Sequence, residues 1–356
     1  MALLGSLLSY GLNQWLCRWT GQFRAQPPAR PTFAYTSDYQ IRTLGDCNQG
    51  TYVQIYCPTT PYLGGNQTAK AVIYLHGFDL GPAQIYQAHL LHLVRQGIYV
   101  IYPNYQQGFC QFPPRPWLTV EALIRETVGS GVIHPQRQWM QSALLGAQRA
   151  YTLLGWDTAA VDTYLYGHSL GGLFALSWPY FLQQGGFPEA LWPRQVLAAD
   201  PVPNTGRHAR SRLGRQMGAF VDAIDIEQTG VALTMPTAIL HGNDDAIAPK
   251  EEWRDPFRAI ATAHKKMYVS FSDVWGCPAL WANHEQSTVD TRFLGTLLAL
   301  TILDGVGVED ALDWFYLWSA LDQVVMQGRR ADQLTFDMGT WSDGRPVRPV
   351  EVFLEP

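Results

Sequence analysis

The feature that most narrows what this chain can become is a repeated alternation of short, continuous apolar runs with longer helical patterns. KAVIYLHG (70–77), IYVIYP (98–103), DTYLYG (162–167), QVLAAD (195–200), TAILHG (237–242) and KKMYVSF (265–271) are rich in β-branched and aromatic residues. Runs of this kind lie buried in a parallel sheet, where both faces are covered. Between or after them come amphipathic patterns at 83–97, 142–155, 170–184, 251–264 and 289–304. Strands alternating with helices of roughly ten to fifteen residues indicate βαβ units and an α/β fold with a mostly parallel central sheet and helices on both faces. Ahead of them, TFAYTSDYQIRTL and TYVQIYCP flank the turn signal GDCNQG and predict a hairpin.

Composition agrees with a packed globule. Hydrophobic residues make up 47% of the 356 and charged residues 15%, against a usual charged fraction of roughly 25%. With 25 basic and 30 acidic residues the field is too weak to hold a phosphate backbone, so nucleic acid is not an expected partner. Three stretches break the alternation, about 105–137, 202–235 and 304–356. The first two leave the C-terminal ends of strands, where open α/β sheets place ligands, and are lid-like insertions in a unit spanning 31–303. The tail has helical periodicity over 309–328, then an extended segment, and is expected to pack on the core.

The strongest chemical signal is YLYGHSLGG. Gly167, His168, Ser169, Leu170 and Gly171 form G-x-S-x-G directly after a predicted strand and before a predicted helix. A serine at so sharp a turn is strained and exposes its hydroxyl at a helix N-terminus, which favours developing negative charge. Such a serine needs a base, and the base an orienting acid, in the chain order serine, acid, histidine. HGNDDAIAP offers Asp244 and Asp245. Beyond that pair lie only His264, ahead of the last predicted strand and at the wrong end of the sheet, and His284, in the loop after it on the side of Ser169. His284 is therefore the expected base.

The elbow GHSLGG, the strand-end HGF (76–78), the GNDDAIAP segment and the late His284, in this order, resemble the α/β-hydrolase family over about residues 50–303. Within it, DxIAP with a late loop histidine looks like the cutinase-like and polyester-hydrolase branch. The resemblance implies Asp245, three residues after Gly242 and four before Pro249, as the acid. Asp200 is the alternative acid, because pancreatic-type lipases, which the elbow also resembles, take theirs from an Asp-Pro at this place. With Asp245 as acid, Asp200 becomes a turn former ahead of Pro201. The resemblance also implies an oxyanion hole made by the N–H groups of Leu170 and Phe78, with His76 and Gly77 shaping the loop and His168 packed beside the nucleophile.

These features together predict a serine hydrolase of esterase or lipase type that needs no metal and no cofactor and acts on a small-molecule or lipid ester. A thioesterase, amidase or acyltransferase would use the same residues, since fold and triad do not fix the leaving group; a non-catalytic lipid-binding protein is the third class. Phe78, Tyr105, Phe109, Trp275 and Trp281 are expected near a substrate pocket, with core packing as the alternative for each.

Residues 1–30 carry an amphipathic stripe (Leu4, Leu8, Leu12, Trp15, Trp19) and a Pro-rich linker. The stripe either docks on the protein or lies on a membrane surface, and Arg207, Arg210, Arg212 and Arg215 would then add contact with anionic lipid. The stretch lacks a positive n-region and a cleavage site, which disfavours secretion. Five scattered cysteines, an odd number, favour a reduced, cytoplasmic chain; Cys47 and Cys57, which flank the predicted turn, are the pair placed to bond in an oxidising compartment.

Overall fold

The eight predicted strands and a ninth from the tail assemble into one nine-stranded sheet. The structure is a computed structural model that describes residues 24–78, 80–106, 134–156, 161–206, 220–291 and 306–356, together with Asn13, Cys17, Trp19 and Cys110. Outside the described residues lie the stripe from Leu4 to Trp15, Phe109, the four arginines at 207, 210, 212 and 215, most of the 105–137 stretch and most of the 289–304 pattern.

The strands of this sheet are β1 (Tyr39–Leu44), β2 (Tyr52–Pro58), β3 (Ala69–Leu75), β4 (Tyr99–Asn104), β5 (Val161–His168), β6 (Pro193–Ala199), β7 (Thr237–Gly242), β8 (Lys265–Ser270) and β9 (Glu351–Leu354), and the short segments His134–Pro135 and Phe220–Val221 pair apart from it. Their order in the sheet is β1-β2-β4-β3-β5-β6-β7-β8-β9. The hairpin β1–β2 is antiparallel in the register Leu44↔Val53, and β2 is antiparallel to β4. From β4 through β8 every pairing is parallel.

Both faces are covered, as continuous apolar runs require. Along β3, Val72 and Tyr74 enter one buried cluster while Ala71, Ile73 and Leu75 enter the other, the period of two expected of a strand. Helix α1 (Gln87–Arg95) packs on the first face; α2 (Gln136–Leu153), α3 (Leu170–Gly185) and the short α4 (Arg254–Ala259) pack on the second. Helix α1 ends where Gly97 takes a φ of 89°, which turns the chain back into β4.

The tail is part of the same core. A π-helical turn, Asp313–Leu317, runs into α5 (Trp318–Val325), and Trp318, Leu321 and Val324 pack with Tyr74, Tyr166 and Leu240 on the first face. The extended end then adds β9 antiparallel to β8, covering an edge that would otherwise expose unpaired backbone. The Tyr316 hydroxyl sits between β7 and β8, accepting from His241 N–H at 2.8 Å and donating to Tyr268 C=O at 2.8 Å.

The cysteine expectation is corrected. Cys17 pairs with Cys277 and Cys47 with Cys110, while Cys57 is a buried free thiol. The reason lies in the sheet: β2 opposes β4 with Tyr52 facing Asn104, so the turn before β2 meets the segment after β4. Cys57, at the far end of β2 beside Gln40, is a strand's length away from that turn. Among the described residues no helix is long and apolar enough to cross a membrane.

Two measurements check this architecture. Tyr316→Phe leaves a buried N–H and a buried C=O without their shared partner, and urea unfolding should register a loss of about 1–3 kcal/mol; an unchanged midpoint would mean that the strands close directly. Denatured without reductant, the protein should offer one of its five cysteines to a thiol reagent, and all five after reduction.

Candidate active site

Strand β5 and helix α3 meet at Ser169, whose φ of 55° and ψ of −119° lie outside the ordinary regions for an L-residue. The turn is this tight because its neighbours are glycines. A β-carbon on Gly167 would stand 2.1 Å from the Gly171 carbonyl oxygen, and one on Gly171 would stand 2.3 Å from that of Leu75. Ser169 N–H donates to Ala199 C=O at 2.9 Å, tying the turn to the end of β6. Leu170 is the first residue of α3, a position whose N–H has no acceptor within the helix.

His284 Nε2 lies 2.7 Å from Ser169 Oγ, and His284 Nδ1 lies 2.8 Å from Asp245 Oδ2. A carboxylate only accepts, so Nδ1 carries the proton and Nε2 is left to accept from the serine hydroxyl. The other oxygen of Asp245 accepts from the N–H groups of Ile247 at 2.9 Å and Ala248 at 2.8 Å, which fixes its plane. All three side chains are buried. Burial alone would push the His284 imidazole down, but the charge and hydrogen bond of Asp245 outweigh it and raise it above the ordinary histidine value. Burial would likewise push Asp245 up; His284, His241 and the Ala248 N–H reverse this and hold it low.

Asp200 makes no hydrogen bond to His284; it stands at the bend ahead of Pro201, and its carboxyl is turned inward. It is fully buried with a φ of 45°. Its carboxyl accepts from Gly242 N–H at 2.7 Å and from Gln286 Nε2 at 2.9 and 3.0 Å, and lies 3.3 Å from Ser287 Oγ. Burial first, then the charge of Asp245, pushes it well above the carboxylate range. Two neighbouring acids are thus driven in opposite directions, Asp245 down and Asp200 up. Gln286 also accepts from Ser270 Oγ at 2.7 Å, so the turn carrying His284 is fastened to the ends of β6 and β8.

The remaining predicted residues divide. Asp244 is exposed beside Asp245, and His264 sits half exposed at the opposite end of the sheet, 3.4 Å from Asp332. The loop after β3 lies against the elbow: a β-carbon on Gly77 would stand 3.3 Å from Ser169 Cβ. Phe78 there is half-buried, its ring 6.0 Å from Trp139. His76 is buried and lowered to about 4 by burial, donates to Gly77 C=O at 2.7 Å and stacks on Tyr105 at 4.1 Å.

Tyr105 donates to His76 C=O and is buried against Phe174, so it is a core residue and not a pocket wall. Trp275 is also corrected. It is exposed, donates to Asp343 at 2.9 Å and lines a cleft with Arg24, Arg345 and Arg348 to which Ser169, Asp245 and His284 contribute nothing. Trp281 is half-buried, three residues before His284.

Sequence reasoning missed Gln286, Tyr86 and His241. The first stands two residues after His284 in a polar run, HEQS, that becomes a buried 3₁₀ turn, and such burial of a polar run was its one signal. Among the described residues, two clusters have the make-up of a metal site, His168–His284–Glu285 and Asp200–His241–Asp245. Both draw on the hydrogen-bonded chain itself, so a cation there would compete with the Ser169–His284–Asp245 contacts.

No protein-family model matches the sequence, and no curated protein matches it. Solved structures do. Esterase B from Lactobacillus rhamnosis is 13% identical over 76% of this chain and 85% of its own, with a TM-score of 0.46. An esterase from Pyrococcus furiosus is 14% identical over 68% and 87%, with a TM-score of 0.43. The acylaminoacyl peptidase of Pyrococcus horikoshii is 12% identical over 66% of this chain and 37% of its own, with a TM-score of 0.42. What identifies the architecture is internal to the chain: an antiparallel β1–β2 lead-in, a parallel run in the order β4-β3-β5-β6-β7-β8, and a strained serine between β5 and α3, which together are the α/β-hydrolase fold.

Proposed function

We propose that this protein is a serine hydrolase that cleaves carboxylic esters through an acyl-enzyme on Ser169. The observation that carries the reading is the buried, hydrogen-bonded chain from Asp245 through His284 to Ser169, with the serine on a strained strand-to-helix turn. Ser169 Oγ attacks the acyl carbon as His284 Nε2 takes its proton. The bond to the leaving alkoxide breaks as the same Nε2–H protonates it. Water then attacks the acyl-enzyme with His284 again as base, the serine oxygen recovers its proton, and a carboxylic acid leaves. Asp245 holds the imidazole tautomer and stabilises its charged form throughout. The N–H groups of Leu170 and Phe78 are assigned to the oxyanion, each worth roughly 2.7–4 kcal/mol in such sites.

Residues 31–303 are assigned to the hydrolase unit, and the tail to its support. The two disulfides favour an oxidising compartment over the cytoplasm. The narrower likeness to the cutinase-like branch rests on the DDAIAP segment and the late loop histidine, His284.

A fluorophosphonate probe should label the folded protein and leave Ser169→Ala unlabelled; absence of labelling in the native protein would sink the reading. Turnover of p-nitrophenyl esters should exceed that of acyl-CoA and anilide substrates, and the opposite order would transfer the assignment to a thioesterase or amidase.

The acid is tested separately. Asp245→Asn should lower turnover by roughly 10⁴-fold, whereas Asp200→Asn should cost no more than about tenfold, the equivalent of one hydrogen bond. Because the base must be neutral to act and Asp245 raises its pKa, turnover should fall as pH drops through a midpoint above 6.5. Asp245→Asn should move that midpoint down.

A further inference from the structure

Four hydrogen-bonding groups that the reaction does not consume join the two loops between which Ser169 stands. Gly77 N–H donates to the Tyr86 hydroxyl at 3.0 Å. That hydroxyl lies 2.8 Å from His168 Nδ1, and His168 Nε2 lies 2.8 Å from the carbonyl oxygen of His284. The carbonyl has no proton to give, so His168 Nε2–H must donate to it. His168 Nδ1, bare in the neutral ring, must then accept from Tyr86 O–H, and the Tyr86 oxygen must accept from Gly77 N–H. One proton arrangement satisfies every group in the row. Both His168 and Tyr86 are fully buried, away from bulk solvent. Burial first, and then the neighbouring His284, lowers His168 to about 3, so the ring stays neutral.

We propose that Tyr86 and His168 form a one-directional hydrogen-bonded relay that holds the loop after β3 and the turn of His284 in register with Ser169, making both positioning residues for the reaction. The proposal rests on the hydrolase reading above. Its reach explains why it matters. One end is the residue before Phe78, to which an oxyanion donor is assigned; the other is the backbone of the base itself. Gly77 N–H, occupied by Tyr86, is also removed from competition for the oxyanion. The relay therefore sets the distance between the group that takes the proton and the group that receives the charge. The sequence carries it in two places: the residue just before the nucleophile, and a tyrosine at the residue preceding α1.

The test begins with the native protein. If it neither labels with fluorophosphonate nor turns over a p-nitrophenyl ester, the hydrolase reading itself fails, before any variant is compared. With activity established, Tyr86→Phe keeps the ring and deletes the relay. The expected result is a fall of roughly tenfold to a hundredfold in kcat and in labelling rate, with KM held within about twofold, because misplacement acts on the transition state. His168→Gln offers one donor and one acceptor and should retain more activity than His168→Leu. Nitrogen-15 NMR of the native histidines should find the His168 ring protonated on Nε2 alone, a readout that needs no variant to fold. Unchanged kcat and labelling in Tyr86→Phe, or a His168 ring protonated on Nδ1, would overturn the proposal.

Discussion

The site depends on one close approach, that of the first turn of α3 to the end of β3. A β-carbon on Gly171 would lie 2.3 Å from the Leu75 carbonyl oxygen and 2.4 Å from that of His76, so the helix meets the strand at a distance only glycine allows. That contact forces the bend at Ser169, whose backbone costs about 1–3 kcal/mol to hold in so sparse a region. The cost is offset locally by Ser169 N–H on Ala199 and by Leu173 N–H on the Ser169 carbonyl. It also brings the loop at Gly77 against the elbow. Were the helix to stand an ångström farther off, serine, loop and His284 turn would lose their common origin.

Around that bend the ends of neighbouring strands have been used in two chemically different ways. Asp245, after β7, faces an imidazole and two N–H groups and keeps its charge. Asp200, after β6, faces an amide, a backbone N–H and a hydroxyl, and the charge next door discourages its own. The Asp245 carboxylate therefore serves the imidazole, while the second acid braces the turn that carries it. Placing both charges in this buried region would set two like charges against one another away from bulk solvent.

How much of this was legible varied with the range of the interaction. Strand runs such as AVIYL and YLYG and the elbow itself are local patterns, and each became the expected element at the expected place. His284 was reachable from chain order alone. Pairings that depend on which strands become neighbours were not legible. Cys47 meets Cys110 because β2 lies antiparallel to β4, and no spacing rule contains that fact. Tyr105 and Trp275 have the same aromatic character in sequence, yet one stacks on His76 inside the core and the other lies outside under Arg345. For Asp200 the turn ahead of Pro201 was legible, but its partners, Gln286 and Ser287, lie more than eighty positions away and were not.

The Cys17–Cys277 bond gives the molecule a property of covalent topology. The bond closes the chain into a ring of 260 residues of separation that contains eight of the nine strands and leaves His284 seven positions beyond the closure. A protease that cuts once anywhere inside the ring does not divide the molecule. Ser169 and Asp245 stay on the same covalent object as His284 whichever peptide bond within the ring is cut, and reduction is what turns such a nick into two fragments.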